Sequence, residues 1–313
     1  MNCIKEDPLL EFNPNTLVYL RRQYNYEKPG EMDAAIDVLD NWIKKQDHFT
    51  KKDFSREYLE RSIILVKGSV ERAKIQIDKI CTMRTLMPKY FEFNFDEFEK
   101  FKNKFSIALL PKLTKDNYRI IMSKIMGPSN ELNSSIYFVY FKFGAMVWEY
   151  LKCRDYCDGV IFICDYRGLN FIEAVSALNI SDLHQIVTIV LQGFQLRVKG
   201  FHIVTEANNV NILVSLLKRV FPKKIADRIY VHKTLESIQE AVPKEILTSD
   251  LGGHDLPLAK LHDKWVEVFK KEENLKHFKE MANAKTNEAL RPSGNFNEQH
   301  LGMPGSFRSL NVD

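Results

Sequence analysis

The chain has 313 residues, 45% of them hydrophobic and 27% charged, with a formal net charge of +4. That length supports one sizeable core plus a smaller one, and the mild positive excess, without aromatic residues interleaved among the basic ones, points away from a nucleic-acid partner. Met1 to Asp7 are charged almost at once, and no apolar run approaches the ~20 residues of a spanning helix, so a cytoplasmic protein with transient, peripheral membrane contact is expected.

From Leu17 to Leu86 the pattern is helical. Ile36, Leu39 and Ile43 recur at three and four residues, and Thr50 to Asp53 resembles an N-terminal cap. Ser69 is placed to cap a helix carrying Val70, Ala73, Ile77 and Ile80, before Pro88 ends the run. After Pro111 short apolar runs alternate with helical stretches. Strands are expected over 118–125, 159–165, 201–205 and 228–232, with helices between them over 136–151, within 181–194 and over 209–221. This alternation implies crossover connections and a mostly parallel sheet, an α/β class behind a helical module. Leu258, Leu261, Trp265, Val268 and Phe269 mark a further helix, and Gly, Pro, Asn and Ser beyond Arg291 predict an extended tail. The expected divisions are a helical domain over 1–95, an α/β domain over 96–256, and a helix with its tail over 257–313.

Reaction chemistry is sparse. One glycine, Gly168, follows Asp165, so no phosphate-binding glycine loop is present, and no Gly-x-Ser-x-Gly elbow occurs. Asp165 at a strand end is the best single catalytic candidate, although a carboxylate satisfying nearby turn amides is the commoner explanation for such a residue. His184, His202 and His232 are scattered singly and read as packing or surface groups. Cys3, Cys81, Cys153, Cys157 and Cys164 are an odd set without zinc spacing and are expected as free, largely buried thiols in a reducing compartment. Asn133 and Asn179 begin glycosylation-like triplets that a cytosolic chain would not use. The run Tyr137, Phe138, Tyr140, Phe141 and Phe143 suits either core packing or the wall of a ligand cavity. What stands out is charge. Between Arg197 and Lys233 lie eight Lys or Arg against Glu206 and Asp227, a local charge of +6 around the apolar stripe Val210, Leu213, Leu217, Val220 and Phe221. An apolar helix flanked by cations suits an anionic lipid surface.

Several segments carry a resemblance. Leu39-Asp40-Asn41-Trp42-Ile43 with Gln46 and His48, then Val70 to Lys74, open it. Gly159 to Gly168, Phe194 to His202, Lys224 to His232, Leu251-Gly252-Gly253 and Gly305 to Leu310 continue it. Together they resemble the CRAL-TRIO lipid-transfer family over residues 30–255, in its tocopherol- and retinaldehyde-binding branch. The chain departs from that pattern at Gln195, at Thr205-Glu206-Ala207, at Leu247 to Asp250 and at Ser62-Ile63-Ile64, which mark a divergent member.

The resemblance implies a helical domain before an α/β domain with an apolar lipid cavity and a mobile gate helix over 210–221. The implied lining is Val160, Phe162, Cys164, Ile186, Ile189, Val190, Phe194, Phe201, Val210, Leu213 and Leu217. The implied phosphoinositide-headgroup cleft is Arg197, Lys199, Lys224 and Arg228, with Arg61 as a fifth member. The expected activity is carriage of a hydrophobic lipid between membranes, without catalysis and with no cofactor or metal beyond the bound lipid. A lipid-responsive protein-interaction module is the alternative, and a lipid hydrolase or oxidoreductase using Asp165 or a histidine is a third.

Overall fold

The computed structural model describes residues 4–292. Cys3, the tail from 293 and the motif Gly305 to Leu310 lie outside the described residues. Four helices come first: α1 (Thr16–Gln23), α2 (Glu31–Lys44), α3 (Arg56–Leu65) and α4 (Val70–Leu86). The spacing read from α2 buries Met32, Ala35, Ile36, Leu39 and Ile43 on one face. Ser69 caps α4 by accepting the Arg72 N–H, and α4 stops ahead of Pro88. The expected cap at Thr50 to Asp53 is corrected. Ser55 caps α3 through the Tyr58 N–H, while the Thr50 hydroxyl donates to the Asn283 and Lys285 carbonyls.

After α5 (Phe95–Lys100) a five-stranded sheet runs in the order β1 (Phe105–Leu109), β2 (Tyr118–Ile125), β3 (Gly159–Asp165), β4 (Val198–Val204) and β5 (Ile229–His232). β1 is antiparallel to β2, and the other three pairings are parallel. β1 precedes Pro111, where no strand was expected. All of its residues are buried, so it shows no polar alternation, which is the usual mark of a half-buried strand. β4 begins at Val198, earlier than the expected 201, its start hidden in the sequence where Lys199 and Gly200 interrupt the apolar pattern, and the pairing shifts register between Val160 and Ile161.

The crossovers are α6 (Ser134–Arg154), then α7 (Phe171–Ser176) with α8 (Ile180–Thr188), then α9 (Asn211–Val220) with α10 (Lys223–Ala226). Asn133 and Asn179, the glycosylation-like asparagines, are the N-caps of α6 and α8. A π-helical turn, Ile189–Gly193, extends α8. Crossovers between parallel strands in sequential order return on the same side of the sheet when they keep the usual right hand. The chain closes through α11 (Leu235–Ala241), α12 (Leu258–Phe269) and α13 (Glu272–Ala282). Trp265 of α12 donates its indole N–H to the Leu109 carbonyl at 2.8 Å, covering the open edge of β1. Arg291 returns to Asp78 on α4 at 2.7 Å. A single apolar core runs from Leu10 to Ala284. A second, separate cluster holds Phe171, Ile203, Val210, Leu213 and Leu217, so α9 is seated mainly on its own small core. Among the described residues no helix is long and apolar enough to cross a membrane.

Candidate functional site

Side chains two apart on a strand share a face, and the register lines up one such face across the sheet. Ile121 lies beside Phe162 and Phe162 beside Phe201, while Ile107 faces Ser123 and Ser123 faces Cys164. A cavity opens above these residues. Its other walls are Tyr140, Phe141, Gly144 and Trp148 of α6, Leu183, Ile186 and Val187 of α8, Val190 and Leu191 of the π turn, and Leu217, Phe221 and Ile225 from α9 and α10. The Phe221 ring meets Phe201 edge-on at 5.4 Å, and Phe201 lies 5.8 Å from Phe162, so the end of the gate segment is plugged into the sheet. The free volume is about 140 Å³, below the roughly 300–1,000 Å³ of ordinary ligand pockets. The site is therefore closed down on its own side chains.

Of the lining residues implied by the resemblance, Phe162, Cys164, Ile186, Val190, Phe201 and Leu217 border this cavity. Val160, Ile189, Phe194, Val210 and Leu213 do not. Val160 and Ile189 are fully buried in the main core. Phe194 packs on the Phe91 and Trp148 rings. Val210 and Leu213 join the separate cluster under α9, where Leu213 and Leu217 border a smaller neighbouring cavity with Phe171. The aromatic run divides as well: Tyr140 and Phe141 face the cavity, whereas Phe143 is core.

Sequence reading missed a polar group inside this apolar wall. The Tyr140 hydroxyl donates to Ser123 Oγ at 2.9 Å, and Ser123 Oγ donates to Cys164 Sγ at 3.6 Å. Tyr166 hydrogen-bonds Cys164 and Tyr140. Burial pushes both tyrosine hydroxyls up and the Cys164 thiol to about 11. All four side chains stay neutral near pH 7, fit to hydrogen-bond a ligand rather than to move protons. The signal that could have found them was the even spacing of Ser123 and Ile121 in β2.

Asp165 lies on the opposite face. Burial raises its carboxyl, but Arg167 and Lys124, at 2.8 and 3.0 Å, outweigh that and hold it below the usual range. It is a satisfied structural ion. His202 also faces away from the cavity, stacked on His232 with Nδ1 2.8 Å from its Nε2. The described cysteines, Cys81, Cys153, Cys157 and Cys164, are free.

The cations gather at the amino ends of the parallel strands. Arg197 immediately precedes β4 and Arg228 immediately precedes β5, with Lys199 second in β4. Arg228 donates to the Val198 carbonyl. Arg197 and Lys199 share the buried Asp158 before β3, and Tyr24 donates to the same carboxylate while accepting from Arg197. Gly159 makes room for this arrangement, since a Cβ there would come within 2.7 Å of the Arg197 carbonyl and of Lys199 Cε. Lys218 and Arg219 at the end of α9 and Lys224 in α10 are exposed. Arg61 stands apart. It is 7% exposed, donates to the Lys152 carbonyl at 2.9 Å and lies over the Tyr156 ring, which takes it out of any solvent-facing headgroup cleft.

Residues 103–253 match the family described as the CRAL/TRIO domain. The proteins named "Alpha-tocopherol transfer protein-like" of Mus musculus and Homo sapiens are 29% and 28% identical to this chain over 97 residues, 31% of its length. The matched stretch is 28% of each relative's own length. A solved structure, "Crystal structure of Sfh5", aligns over 81% of this chain and 93% of that chain with a TM-score of 0.45 and 10% identity.

Proposed function

Residues 103–253 of this chain being a CRAL/TRIO domain, we propose that the protein binds one hydrophobic lipid beneath α9 and carries it between membranes. The observation that carries this reading is the apolar cavity roofed by a helix with its own detached core. Burying about twenty methylene groups at ~0.8 kcal/mol each favours such a cavity over water by ~16 kcal/mol, so release into water is too slow to serve transport. A bilayer offers the same apolar surroundings, and exchange there is nearly balanced once α9 lifts.

The small free volume means that Leu217 and Phe221 move outward to admit cargo. Opening costs the contacts of the separate cluster together with those that Leu216 and Val220 make against the main core. The neutral Ser123, Tyr140, Cys164 and Tyr166 group favours a cargo with one hydroxyl or carbonyl end over one with a charged head, because burying an unpaired charge there is expensive. Lys218, Arg219, Lys224 and Arg228 bring the gate to anionic headgroups, phosphoinositides among them, each nearby cation contributing ~1 kcal/mol. For such a surface to open the gate it must bind the open form better than the closed one.

The test is transfer of a fluorescent hydroxylated lipid between vesicles, with and without phosphoinositide in the acceptor. Lys224→Glu with Arg228→Glu should slow delivery to anionic acceptors at least tenfold and leave neutral acceptors unchanged. Undiminished delivery to anionic acceptors would remove the docking role. Failure of the intact protein to extract lipid at all would remove the carrier reading.

A further inference from the structure

We propose that Cys153 is a reactive thiol, activated by His277, and that the joint between α6 and α13 is a site of modification by peroxides and soft electrophiles. Cys153 sits in the last turn of α6, half-buried, with Sγ 3.8 Å from Nδ1 of His277 on α13. The far nitrogen of that imidazole, Nε2, lies 3.6 Å from Oε1 of Glu149, one turn back on α6. Glu149 is 1% exposed, and its Oε2 takes Arg84 at 2.6 Å while its Oε1 has no hydrogen-bond partner and faces the ring. Thiol, imidazole and buried carboxylate therefore stand in the order of nucleophile, base and orienting acid. Among the described residues no three His, Cys, Asp or Glu converge as metal ligands do.

The surroundings agree. Burial disfavours charge on His277, but Cys153 and Glu149 outweigh it and raise the imidazole to about 9. Facing the pair are Glu149, Tyr150 and Arg154 from α6, Arg84 from α4, and Glu273 from α13, which lies 3.8 Å from Arg154. Carbonyls at the end of α6 oppose a thiolate, and the His277 cation opposes them in turn. The other described cysteines contrast: Cys81, Cys157 and Cys164 are buried, and burial pushes their thiols up. With hydrogen peroxide, the thiolate attacks one oxygen as the S–O bond forms and the O–O bond breaks. The departing hydroxide takes the proton of His277, leaving a sulfenic acid, water and a neutral imidazole, with sulfur oxidised by two electrons and peroxide reduced by two.

The experiment is iodoacetamide alkylation of the whole chain between pH 5.5 and 9, read site by site by peptide mass spectrometry. An ordinary thiol is about 1% thiolate at pH 6.5. Cys153 should react at pH 6.5 about tenfold faster than it does in His277→Gln. A wild-type rate at that pH no higher than the variant's, with both proteins shown to be folded by their melts, overturns the proposal. Peroxide followed by a sulfenic-acid trap should label Cys153; labelling confined to other cysteines likewise overturns it.

Discussion

Asp158 holds two cations at once: its Oδ1 lies 2.9 Å from Arg197 Nη2 and its Oδ2 lies 3.0 Å from Lys199 Nζ. Two cations against one anion leave a single net positive charge at the amino ends of β3 and β4. On the docking proposed above, an incoming lipid phosphate would compete with a carboxylate already in place, whereas Lys218, Arg219 and Lys224 are exposed to it.

Asp158→Asn should raise affinity for anionic vesicles about thirtyfold, the equivalent of ~1 kcal/mol for each of the two released cations. The gain should shrink as salt rises. The same change removes the partner of two partly buried cations, so unfolding in urea should show a loss of about 1–3 kcal/mol. Vesicle co-sedimentation in a salt series is the measurement.

Gly159→Ala tests the packing that holds this pair. The added methyl would press on the backbone carbonyl of Arg197, which cannot swing aside as a side-chain tip does. A loss of about 1–3 kcal/mol is expected, read as a lower denaturation midpoint with an unchanged slope.

Tyr140→Phe and Ser123→Ala probe the polar end of the cavity. Each should weaken a lipid bearing a terminal hydroxyl about five- to tenfold and leave its hydroxyl-free analogue within a factor of two, because a single neutral hydrogen bond contributes ~1 kcal/mol. Equal losses for both lipids, in a displacement assay, would mean that the group does not touch cargo.

Acid should act through His202. Burial first, then the neighbouring His232, lowers its imidazole to about 4 in the folded chain. The unfolded chain takes up that proton below about 6.5, so the stability due to neutral His202 is full above that pH and is lost as pH falls toward 4. His202→Gln should flatten the stability profile between pH 6.5 and 4, as followed by thermal melts.

Much of the fold was legible because its signals are local. The three- and four-residue stripe of α2, the Ser69 cap and the run of β3 depend on neighbours in the chain. β1 was not legible, because a strand buried on every residue loses the alternation that marks one. The site was legible in part. Phe162, Cys164 and Phe201 could be placed on one face from strand spacing and the family pattern, but Val160 is buried in the main core, just before the register shift between Val160 and Ile161. Arg61 carries the same charge as Arg197, and only the helical layer packed over it decides that it meets Tyr156 and a carbonyl rather than water.

By itself the sequence determined the classes of element, their alternation and the excess of cations near the gate helix, since propensity, period and charge are carried residue by residue. Tertiary structure alone decided that Asp158, Arg197 and Arg228, far apart in the chain, stand together one residue ahead of three adjoining parallel strands. It also decided that Ser123 of β2, Tyr140 of α6 and Cys164 of β3 form one polar spot. The reason is that register and crossover set distances between segments, and no local pattern encodes those.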